Sequence, residues 1–144
     1  MEAIILAGGL GTRLRKVVAD LPKPMAQVNG KPFLHYLFQW LGKYNVSKIV
    51  ISAGYRHEAI SRHFGDSFSG ITLEYVIEEK PLGTGGAVIR SLKSIEEEDI
   101  LIVNGDTWFP IDLYGFHSRH TVNGHIFSIA LKRMHDFSRY GAVE

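Results

Sequence analysis

The sequence predicts an α/β protein built on an open, mostly parallel sheet with helices on both faces. Residues 3–7, 48–53 and 99–104 are short apolar runs, each followed directly by a glycine. Such continuous runs mark parallel strands covered on both sides. Between the first two, Phe33, Tyr36, Leu37, Trp40 and Leu41 recur at helical spacing. Strands alternating with helices of that length argue for β-α-β units joined by right-handed crossovers.

The helix between the first two strands is expected over 32–44, with Pro32 in its first turn, where a missing N–H is harmless. Its aromatics read as core. A short helix follows over 57–64, and 72–78 alternates apolar and polar residues as a strand. A helix over 85–92 can pack Ala87, Val88 and Leu92, with Thr84 placed to cap it. Asp112 is placed to cap a helix through His120, and 125–131 alternates as a last strand. No repeat, low-complexity segment or linker interrupts the chain, so one domain over 1–144 is expected.

Apolar residues make up 45% and charged residues 22% of the 144, a globular composition. With 16 Lys plus Arg against 15 Asp plus Glu, no overall field calls for nucleic acid. The absence of cysteine excludes thiol catalysis and a disulfide framework, and is compatible with a cytoplasmic location. Glu2 stands where a signal peptide would be basic, and the apolar runs are far too short to span a membrane. A homo-oligomer is compatible with the aromatic helix around Trp40.

Candidate chemistry gathers where the fold places it, at the carboxyl ends of the strands. Leu6-Ala7 runs into Gly8-Gly9-Leu10-Gly11-Thr12-Arg13, a glycine turn with a fixed positive charge. Clustered backbone N–H groups form an anion-binding concavity, and a guanidinium matches phosphate oxygens. The spacing is that of neither a dinucleotide-binding fingerprint nor a Walker A loop. Lys23, between Pro22 and Pro24, supplies a second constrained cation. Asp106, in Asn104-Gly105-Asp106, can reach a hard divalent cation such as Mg²⁺ on phosphates. The plainer alternatives are a tight turn with a solvated arginine and a turn aspartate bonded to its own backbone.

Glu78-Glu79-Lys80-Pro81-Leu82-Gly83-Thr84-Gly85-Gly86-Ala87 lets a turn press against a planar ring. A carboxylate at Glu78 or Glu79 can accept protons from a purine edge, or simply face solvent. Tyr140, Gly141 and Glu144 could contact sugar hydroxyls, or be ordinary strand residues. The seven histidines show no compact metal-ligand spacing.

Taken in order, Leu6-Ala7-Gly8-Gly9-Leu10-Gly11-Thr12-Arg13-Leu14, Pro22-Lys23-Pro24-Met25, the 81–87 block, Asn104-Gly105-Asp106 and Tyr140-Gly141-Ala142-Val143-Glu144 resemble the sugar-phosphate nucleotidylyltransferase family. The 81–87 block looks most like the family's guanylyltransferases of D-glycero-D-manno-heptose 1-phosphate, with the mannose 1-phosphate enzymes close behind. The resemblance implies a Rossmann-like three-layer α/β/α sandwich of the nucleotide-diphospho-sugar transferase type. It implies a reaction joining a nucleoside triphosphate, GTP by this likeness, to a sugar 1-phosphate with release of pyrophosphate. Arg13, Lys23 and Asp106 would be catalytic, with Mg²⁺ on Asp106. Leu6, Gly8, Gly9, Gly11, Thr12, Arg13, Glu78, Gly83 and Thr84 would bind the nucleotide. Asn104, Tyr140, Gly141 and Glu144 would bind the sugar phosphate.

Family members continue well past the strand that ends here at Glu144, so a shortened C-terminal part is expected, with the sugar pocket incomplete. A nucleotide-binding module without activity is the first rival. A glycosyl transferase is the second, but it calls for a paired acidic motif such as D-x-D, and none lies near Asp106.

Overall fold

The computed structural model describes residues 1–9, 21–54 and 56–135. In chain order these give β1 (Glu2–Leu6), a 3-10 turn (Lys23–Met25), β2 (Gln27–Val28), β3 (Lys31–Pro32) and α1 (Phe33–Gly42). Next come β4 (Lys48–Ala53), α2 (His57–Phe64), β5 (Ser67–Phe68), β6 (Ile71–Ile77), α3 (Gly83–Ser91), β7 (Ile100–Asn104) and α4 (Leu113–Val122). Two compact units are present, Met1–Pro110 and Ile111–Glu144.

The first unit carries a five-stranded sheet in the order β5-β6-β4-β1-β7. β6, β4, β1 and β7 run parallel, and only β5 is antiparallel to its neighbour. The crossovers through α1 and α2 step one way from β1, to β4 and then β6, whereas the crossover through α3 returns past them to β7. Right-handedness then sets α1 and α2 on one face and α3 on the other. α3 indeed packs over β1 and β4. The expected α/β sandwich with a mostly parallel sheet is thus observed.

β1 and β4 form the centre, with Ile4, Ile5, Ile49 and Ile51 fully buried. Leu34, Leu37, Phe38 and Leu41 of α1 and Ile60 of α2 are also fully buried. Phe38 meets Phe64 and Phe68 edge-on at 4.9 and 5.3 Å, a favoured aromatic geometry. β7 stands at the end of the strand order and is less covered than the sequence suggests, with Ile102 39% exposed.

Several local expectations need correction. Pro32 precedes α1 rather than lying in its first turn. α3 begins at Gly83 with Leu82 at its N-cap, so Thr84 lies inside the first turn and caps nothing. Asp112 does precede α4, but its side chain makes no capping bond. Residues 125–131 form no strand. Alternation gives a segment a face, but a strand also needs a neighbour for its N–H and C=O groups. Ile126, Phe127, Ile129 and Leu131 remain exposed.

The amino-terminal edge of the sheet carries a structural charge network. Glu2 is buried, and its Oε2 accepts from the backbone N–H groups of Glu96 and Glu97 at 2.8 and 3.3 Å. Glu74 accepts from the Ser94 hydroxyl and pairs with Lys48 Nζ at 3.0 Å. The Ser94 hydroxyl, followed by Lys48, holds the Glu74 carboxyl below its ordinary value of 4.5 despite opposing desolvation. A lowered carboxyl contributes stability that is present above the ordinary value and is lost as pH falls through the folded one. Glu74→Gln should therefore flatten the loss of stability with acid, read from urea midpoints taken from about pH 6 to about pH 3.

Candidate functional site

Parallel pairing sets the strand ends level. Leu6 pairs with Ser52 on one side and Asn104 on the other, and Ser52 pairs with Val76. Two residues beyond that line stand Gly8, Gly54, Glu78 and Asp106, one from each parallel strand. Backbone bonds knit these ends together: Ala7 N–H to Ser52 O at 2.7 Å, Glu78 N–H to Ala53 O at 2.8 Å and Gly105 N–H to Leu6 O at 2.9 Å. β1 and β7 lie where the strand order reverses, the crevice in which open α/β sheets bind ligands.

Asp106 owes its place to Gly105. A Cβ at Gly105 would lie 3.0 Å from Leu6 O and 3.1 Å from Ile5 Cγ2, so a side chain there would press against β1 where the turn closes on it. Asp106 Oδ1 accepts from the Thr107 hydroxyl at 3.3 Å, and Oδ2 receives Lys23 Nζ at 3.4 Å across 83 residues of sequence. Lys23 opens the short 3-10 turn, flanked by Pro22 and Pro24, both buried. Both ends of the pair keep partial solvent access, 28% for Lys23 and 43% for Asp106, so it is a weak, exchangeable interaction. Trp108 meets Phe33 and Trp40 at 6.5 and 6.0 Å, anchoring the chain just past Asp106.

Glu78 sits at the other end of the row. Its Oε1 accepts from the Ser52 hydroxyl at 2.9 Å, and its Oε2 accepts from Leu82 N–H at 3.2 Å. A Cβ on Gly8 would overlap Oε1, so this glycine serves the carboxylate's approach. Gly9, by contrast, is exposed and faces open space. Gly83 opens α3 at a φ of +69°, and Thr84 and Glu79 are exposed beside it. Asn104 is exposed at the end of β7.

Leu6, Gly8, Gly9, Lys23, Glu78, Gly83, Thr84, Asn104 and Asp106 therefore all lie at the carboxyl edge or in the segments leading from it. Gly11, Thr12, Arg13, Tyr140, Gly141 and Glu144 lie outside the described residues. Among the described residues no cluster of three or more His, Cys, Asp or Glu could hold a metal ion by itself. A lone accessible carboxylate suits a cation that arrives with phosphate oxygens of its own, as Mg²⁺ does. Ser52 and Trp108 were not singled out by the sequence reading. A hydroxyl inside the otherwise apolar run 49–53 was the available signal for Ser52.

Residues 2–144 match the sequence profile of the family described as nucleotidyl transferase. The chain belongs to that family. It is 50% identical over 143 residues to D-glycero-alpha-D-manno-heptose 1-phosphate guanylyltransferase of Aneurinibacillus thermoaerophilus, covering 99% of this chain and 62% of that protein. The Campylobacter jejuni protein of the same name is 47% identical over the same shares. The crystal structure of HddC from Yersinia pseudotuberculosis, also solved complexed with GMP-PN, superposes with a TM-score of 0.75 at 39% identity. That match covers 83% of this chain and 53% of that one. The chain thus spans 62% of the length of these two curated relatives.

The glycines of the 83–86 block should separate on substitution. Gly83→Ala forces a side chain into the left-handed region and should cost about 1–2 kcal/mol of stability. Gly85→Ala meets nothing within 4 Å, lies in the first turn of α3, and should be neutral or gain up to about 1 kcal/mol. Urea denaturation of both variants checks the pair.

Proposed function

We propose that this chain is the nucleotide-binding portion of a sugar-1-phosphate nucleotidylyltransferase that uses GTP and D-glycero-D-manno-heptose 1-phosphate. The observation that carries the reading is the Lys23–Asp106 pair at the reversal of strand order, 3.4 Å across. A cation and a carboxylate held loosely together there can exchange partners when a metal–triphosphate complex binds. Asp106 then faces a cation and Lys23 faces phosphate oxygens. The similarity to heptose 1-phosphate guanylyltransferases, and to a structure solved with GMP-PN, supports the choice of sugar and base.

In the reaction, an oxygen of the sugar 1-phosphate attacks the α-phosphorus. The bond from that phosphorus to the bridging oxygen breaks, and pyrophosphate leaves with the electron pair. The nucleophile is already anionic, so no general base is required. The protein's task is to bring two polyanions into line and to neutralise their charge. Asp106 would hold Mg²⁺, which when bound supplies charge neutralisation and polarises the phosphoryl oxygens. Lys23 stabilises charge on the departing phosphates. Arg13 is proposed to hold the triphosphate beside the glycine turn. Glu78 and the Gly83 backbone are proposed to read the base, and Asn104, Tyr140, Gly141 and Glu144 to meet the sugar phosphate.

Pyrophosphate release from GTP and heptose 1-phosphate with Mg²⁺ tests the proposal, with mannose 1-phosphate and the other triphosphates run in parallel. Release that depends on both substrates supports it. The 62% span favours one second reading, a portion that binds GTP and needs the remaining length for turnover. Binding without release would mark that case, and no binding would overturn both. In the catalytically competent protein, Lys23→Ala should lower turnover about 100-fold or more while weakening GTP binding far less. Equal losses in the two would remove Lys23 from the chemical step.

A further inference from the structure

We propose that Ser52 is a positioning residue for base selection, acting through Glu78. The proposal rests on the nucleotide-binding reading above and adds a residue that reading does not use. Ser52 has no exposed surface, and it is one of only three buried polar or charged residues among those described. A buried hydroxyl in the middle of a hydrophobic sheet needs a partner, and this one donates to Glu78 Oε1 at 2.9 Å. The second oxygen accepts from Leu82 N–H at 3.2 Å, and Gly8 stands so near Oε1 that a side chain there would overlap it.

The carboxylate is therefore bonded from two chain segments, the end of β4 and the turn before α3, with Gly8 of the turn after β1 beside it. A carboxylate offers about four acceptor sites, two on each oxygen. One site on each is used internally, which leaves one on each for a ligand. Two parallel acceptors in a fixed plane match a base edge with two adjacent N–H donors, as guanine has at N1 and its 2-amino group. A carboxylate free to rotate would bind one donor as readily as two. The Ser52 bond thus converts a generic acceptor into a discriminating one, because an imperfectly matched base leaves a polar group unpaired.

Binding of this chain to Mg²⁺ complexes of GTP, inosine triphosphate and tripolyphosphate, by calorimetry, tests the proposal. Inosine keeps N1–H and lacks the 2-amino group, and tripolyphosphate reports the phosphate end alone. The wild-type chain should prefer GTP to inosine triphosphate. Ser52→Ala should shrink that preference about tenfold and leave tripolyphosphate affinity unchanged. Ser52→Cys keeps the size and a weaker donor, and should fall between the two. It also serves if the alanine variant does not fold by near-UV dichroism and thermal melting. An unchanged GTP preference in the variants, or an equal loss for all three ligands, would overturn the proposal. Equal wild-type affinity for the two nucleotides would overturn base reading by Glu78 while leaving triphosphate binding intact. A wild-type chain that binds no triphosphate would overturn the nucleotide reading, and this proposal with it.

Discussion

Everything at the candidate site depends on the parallel register of β1 between β4 and β7. That pairing sets Leu6, Ser52 and Asn104 level, and so delivers Gly8, Gly54 and Asp106 to one line, with Glu78 joining from β6. A slip of one residue would turn each strand over and scatter the row. The register is secured by burial: Ile4, Ile5, Ile49 and Ile51 have no exposed surface and cannot be re-paired without opening the core. The site is assembled by the same contacts that hold the sheet.

The two edges of that sheet use charge differently. At the amino-terminal edge Glu2 and Glu74 accept from backbone N–H groups, a hydroxyl and Lys48, several donors that tie neighbouring segments together and serve the fold. At the carboxyl edge Lys23 and Asp106 are joined at 3.4 Å with solvent access on both, a contact easily traded for a ligand. At the other end of that carboxyl-edge row, Glu78 combines the two characters. It is fixed by internal donors yet retains acceptor capacity, as a recognition group needs.

Much of this was legible in the sequence, and the physics says which parts. Continuous apolar runs followed by glycine identified β1, β4 and β7; burial on both faces explains the runs of β1 and β4, whereas β7 carries such a run at a less covered position. Asp106 and Lys23 were legible as a carboxylate and a proline-flanked cation, and the fold brings the two together at 3.4 Å. The small hairpins were overlooked although Asn29-Gly30 and Ser69-Gly70 mark them, all four with positive φ. Residues 125–131 misled because alternation reports a face and not a neighbour. Ser52 stayed hidden because its role arises only from pairing across the sheet, which brings residues 26 apart into hydrogen-bond reach.

The most direct test is to follow backbone amide shifts by ¹⁵N NMR while Mg²⁺ and GTP are titrated into the chain. Saturable shifts concentrated at Gly8, Gly9, Gly54, Leu82, Gly83 and residues 105–107, with Glu96, Glu97 and α4 quiet, are expected if the level strand ends form the nucleotide site. Shifts centred on the amino-terminal edge or on α4, or none at all, would contradict it.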